Sequence, residues 1–166
     1  MKQIKLYNVI FPAWFLLFFF PPIVIITLIG NLLIDSLVIL VCFFIFKLGN
    51  ILELDLKRFY KQSILKVWMF GFLADIIGAS ILFFISNTGL PHEVISAINY
   101  DPFSNPVAII IMVFAMLVSS LFIFIFNYKF TWKKIIIEKQ LRFKLAITIA
   151  IITTPWAFLL PTKWFY

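Results

Sequence analysis

Residues 67–86 read VWMFGFLADIIGASILFFIS. Apart from Asp75 the stretch carries no charge. At ~1.5 Å per residue, a helix of this length reaches ~30 Å, the thickness of the hydrocarbon core of a bilayer. The segment therefore reads as a membrane-spanning helix with a carboxyl group near its middle. Composition extends that reading to the whole chain. Hydrophobic residues make up 64% of the 166 residues and charged residues 13%. Soluble domains have roughly 45–50% and about 25%. Mean hydropathy is +1.11. Such a chain has more apolar surface than a soluble core of this size can hide, and lipid is the solvent that fits. The 22 Phe and abundant Ile suggest an AT-rich coding genome, as in low-GC bacteria.

Further spans follow on either side. Residues 106–126 form one, opened by Asn105-Pro106, an N-cap residue followed by Pro at the first helical position. Residues 143–160 form another, with a kink expected at Thr154-Pro155 and a stop at Pro161. Upstream, Asp35 is the only charge between Leu6 and Phe46. That run is roughly twice what one crossing needs. Pro21-Pro22 and Gly30-Asn31 are the candidate breaks within it. The expectation is an all-α polytopic bundle in a single domain, 1–166, with five spans at 6–26, 29–46, 67–86, 106–126 and 143–160. Four crossings plus an interfacial N-terminal helix is the other division.

The charges set an orientation. Of 14 basic residues, most fall in two loops, 47–66 and 127–144, which flank apolar runs. The loop 87–105 has no Lys or Arg and carries Glu93 and Asp101. This is the positive-inside pattern, with the basic loops cytoplasmic and 87–105 extracellular. It also explains the net charge of +7 without nucleic acid, and makes anionic lipids the expected partners of the basic loops. The expected location is a bacterial cytoplasmic membrane. In 51–66, ILELDLKRFYKQSILK, Leu52, Leu56 and Phe59 share one helical face, as in a helix lying on the inner leaflet. The stretch 131–144, TWKKIIIEKQLRFK, is similar. Trp14, Trp68, Trp132, Trp156, Trp164 and Tyr166 stand where interfacial aromatic belts are expected.

Asp35 and Asp75 are the best functional clue, because carboxylates at bilayer depth are costly and rare. Asp35 precedes Lys47 by 12 residues and Asp75 follows Lys66 by nine. These offsets put them ~18 and ~14 Å from the basic boundary, near the midplane and able to meet. Asp35 reaches that depth only if its helix begins well before Asn31. Two ionised carboxylates in a low dielectric do not coexist unaided, so a proton or a cation belongs between them. Asn31, one turn before Asp35, and Ser80 are the candidate supporting ligands; Ser36, Ser119, Ser120 and Asn127 are further polar groups nearby. Oxygen ligands suit a proton, Na+ or a hard divalent ion. No resident cofactor is called for, with a proton or Na+ as the coupling ion. The plainer alternative is a protonated Asp that ties helices together through a hydrogen bond.

Gly71, Ala74 and Gly78, and Ala146 and Ala150, have the spacing that lets helices approach closely. The lone Cys42 excludes an intrachain disulfide. One His and one Cys cannot make a triad or a metal cluster. G-x-S-x-G, H-E-x-x-H and the GxGD context of intramembrane aspartyl proteases are all absent. The leading expectation is an ion- or proton-coupled membrane transport or channel subunit, acting as a homo-oligomer. A non-catalytic accessory subunit docked on a partner membrane subunit is the second, and an enzyme acting on lipid or peptide the third.

Overall fold

The computed structural model describes residues 12–164, which are helical with no strand. Four helices are long and apolar enough to cross a membrane: Pro21–Ile45, Leu56–Ser86, Pro106–Thr131 and Lys139–Leu159. In chain order the α-helices are α1 (Ala13–Phe19), α2 (Pro21–Ile45), α3 (Leu48–Leu52), α4 (Leu56–Ser86), α5 (His92–Asn99), α6 (Pro106–Phe126) and α7 (Lys139–Ile152). Residues 6–11 of the first expected span, with Lys2, Lys5 and Tyr166, lie outside the described residues.

The division between spans 6–26 and 29–46 is not where the chain breaks. Phe20 is extended (φ −96°, ψ 109°), and Pro21-Pro22 then open α2. Proline at the first helical positions has no amide to lose and a φ already set for the helix. α2 continues through Gly30-Asn31 without interruption. A mid-helix Gly costs only ~1 kcal/mol relative to Ala. Breaking the helix in lipid would strand backbone groups at several kcal/mol each. Asp35 therefore lies deep in its helix, about 21 Å from Pro21, and the condition on its depth is met.

α4 also differs from expectation. Its 31 residues reach about 46 Å, so residues 56–66 of the amphipathic stretch are the first part of the spanning helix. Its apolar face packs on protein instead of the leaflet. Phe59 is fully buried, stacked on Trp132 (ring centroids 5.4 Å, planes 10° apart) and beside Phe43 at 5.4 Å. Lys57, Arg58, Lys61 and Lys66 stay exposed. Trp132 and Ile136 are buried in the same cluster, so 131–144 is a packed crossover leading into α7. Trp14 is likewise buried, at the other end, whereas Trp156 and Trp164 are exposed. Two of the expected belt tryptophans are thus core residues.

α4 and α6 form the centre of the bundle. Gly78 makes their close approach possible, since a Cβ there would lie 3.1 Å from both the Ala115 carbonyl and the Ser119 Cβ. Ala74, Ala146 and Ala150 are also buried at helix contacts. α7 stops earlier than the span 143–160 expected, at Ile152. Thr153 and Thr154 turn their hydroxyls back to the carbonyls of Ile149 (2.8 Å) and Ala150 (2.7 Å). Pro155 has no amide with which to continue the ladder, so the expected kink is a true end. A 3₁₀ turn, Trp156–Leu159, follows. At the end away from the basic loops, α5 packs Val94, Ala97 and Ile98 with Leu82, Met112 and Trp14. There the Ala13 amide donates to Thr162 Oγ1 at 2.7 Å.

Candidate functional site

The two aspartates line one cavity of about 170 Å³. α2 contributes Thr27, Asn31, Ile34 and Asp35, a spacing that puts all four on one side of a helix. α4 contributes Gly71, Phe72 and Asp75, and the third wall is the end of α7 with the following turn, Ile152 to Phe158. Asp35 and Asp75 are only 5% and 6% exposed. Ser119 on α6 donates its hydroxyl to Asp75 Oδ1 at 2.8 Å. Asp35 lies over Gly71, one turn before Asp75: a Cβ on Gly71 would sit 3.8 Å from Asp35 Oδ2. Gly71, expected only as a packing residue, leaves room for that carboxyl group.

Asn31 lines the cavity as the sequence suggested. Ser80 does not. It follows Asp75 by five residues, which turns it ~140° around the helix. Its hydroxyl donates to the Ile76 carbonyl at 2.8 Å. Ser119 takes the place expected of it. Ser36 is engaged with the Leu32 carbonyl and the Tyr60 hydroxyl, and Ser120 donates to the Ala150 carbonyl at 2.9 Å. Sequence reasoning passed over Thr27 and the 152–158 wall. The signals were present: Thr27 stands eight residues before Asp35, and Pro155 marks the end of α7.

The electrostatics point one way. No basic side chain is among the lining residues. The C-terminal end of α7, whose Ile152 lines the cavity, brings the negative end of its dipole. Two carboxyl groups, Asn31 and three threonines are the polar part of a lining that is otherwise apolar, with room for several waters. Carboxyl groups so placed are chemically suited to hold a proton or a cation. No known protein family, curated protein or solved structure matches the chain.

Proposed function

We propose that this protein is a small membrane transport or channel subunit in which Asp35 and Asp75 bind or relay a proton or Na+. The observation that carries the reading is that carboxyl groups from two different helices share one cavity with the broken end of a third. Interrupted helices whose C-terminal ends and freed carbonyls face a midplane cavity are a recurrent way to hold H+ or Na+. Asn31 and Thr27 are supporting ligands, and Ser119 orients Asp75.

In this reading the chain crosses a bacterial cytoplasmic membrane four times, with its basic end cytoplasmic and facing anionic lipid. The bond from Ala13 to Thr162 supports four crossings. A span over 6–26 running outward would hold residue 13 about a third of the way across, not beside the outer loop.

The test is flux in proteoliposomes, with proton uptake followed by a pH-sensitive dye and sodium uptake by radiolabel. Asp35→Asn and Asp75→Asn keep the fold and abolish uptake of the coupled ion. Wild-type rates in both variants overturn the proposal. Absence of flux from the purified wild-type chain, with a partner subunit retained in mild detergent, would favour the accessory role instead.

A further inference from the structure

The buried polar groups of α6 continue past the cavity toward the basic end. Ser119, Ile123 and Asn127 follow at four-residue spacing, and all three are fully buried. Asn127 opens a turn of π-helix, Asn127–Thr131, directly after α6. Single π-turns within or beside α-helices are often found at functional sites. The Asn127 side-chain amide donates to the Ile123 carbonyl at 2.9 Å. Its Oδ1 has no partner among the described residues, nor do Thr131 Oγ1 and Trp132 Nε1. Three such atoms in six consecutive residues are unusual, because each buried polar group left unpaired costs about 1–3 kcal/mol. An acceptor, a hydroxyl and an N–H donor together suit one or two bound waters. Lys129, Lys133 and Lys134 are exposed beside them.

Between this polar group and the aspartate cavity stands an apolar side chain, Ile123. Ile123 packs in one buried cluster with Val67 and Ala74. Ser119 and Asn127 are about 12 Å apart along α6, too far for a direct hydrogen bond, and the side chain between them on that face is apolar. Apolar constrictions of this kind close a path by excluding water and open it when they wet.

We infer that Asn127, Thr131 and Trp132 form a hydrated inner station of the ion or proton route, and that Ile123 is the gate between it and the aspartates. The inference rests on the transport reading, and it adds a second polar site and a barrier.

Two experiments test it. In a Cys42→Ala background, Asn127→Cys should react with a membrane-impermeant cationic thiol reagent added on the side of the basic end, and Ile123→Cys at rest should not. Reaction of Asn127→Cys only from the opposite side, or from neither, overturns the inference. In proteoliposomes, Asn127→Leu and the near-isosteric Thr131→Val should slow uptake of the coupled ion, the former by roughly tenfold. Ile123→Ser should raise the resting leak. Loss of uptake in Asp75→Asn, with wild-type uptake in all three of these variants, refutes the inference and leaves the transport reading intact. Wild-type uptake in both Asp35→Asn and Asp75→Asn removes both.

Discussion

A single methyl group placed on Gly78 tests how the site is held. A Cβ there would lie 2.9 Å from Phe158 Cε2, 3.1 Å from the Ala115 carbonyl oxygen and 3.1 Å from Ser119 Cβ. Two of these three neighbours belong to α6, and Phe158 is fully buried, so none has open space to retreat into. Over-packing of this type costs typically 1–3 kcal/mol. Gly30 is the internal control. It too lies in a spanning helix, but a Cβ there meets nothing within 4 Å. Gly30→Ala should therefore stabilise by about 0.5–1 kcal/mol through helix propensity and a stiffer unfolded chain. For a chain of this size each kcal/mol moves Tm by roughly 2–4 °C. Thermal unfolding in a mild detergent should then show Gly78→Ala lowered by about 2–12 °C. Gly30→Ala should be unchanged or slightly raised. Because Phe158 lines the aspartate cavity and Ser119 bonds Asp75, Gly78→Ala should also reduce flux. Equal Tm values for Gly78→Ala and wild type would refute the close approach of α4 and α6.

Other outcomes follow from the same contacts. Gly71→Leu fills the space over which the Asp35 carboxyl lies and should abolish flux while leaving expression in the membrane near normal; unchanged flux would separate Asp35 from that surface. Ser119→Ala removes the hydrogen bond to a buried carboxyl, with an expected loss of about 1–3 kcal/mol in unfolding experiments. In an Asp75→Leu background, which offers the hydroxyl no acceptor, that loss should be much smaller in a double-mutant cycle. Trp132→Ala, at the stack with Phe59, should cost about 3–5 kcal/mol in the same assay, whereas Trp164→Ala, on the surface, should cost little.

The sequence made the aspartate pair legible through depth alone. Counting from Lys47 and Lys66 located both carboxyl groups near the middle of apolar helices, and the two line one cavity. The small residues of GFLADIIGA were also readable, since only close helix contact rewards that spacing. Other features depended on tertiary partners that no local pattern names. Gly30-Asn31 looks like a turn in isolation, but lipid forbids the exposed backbone that a turn would create. The face of Leu56 and Phe59 is amphipathic whether it meets lipid or protein, and Trp132 decided the matter. Ser80 and Ser119 are equally plausible ligands by type; the 3.6-residue period turned one away from Asp75 and α6 carried the other toward it.

The hydrogen bond from the Ala13 amide to the Thr162 hydroxyl spans 149 residues of chain. Helices enter a membrane in the order they are synthesised, so α1 emerges long before its partner exists. Until the turn after α7 arrives, Trp14 has only part of its burial surface, and the cavity has two walls instead of three. The aspartates are thus enclosed only in a completed chain. A product truncated after its first three spanning helices would leave both carboxyl groups uncovered on the side that residues 152–158 close.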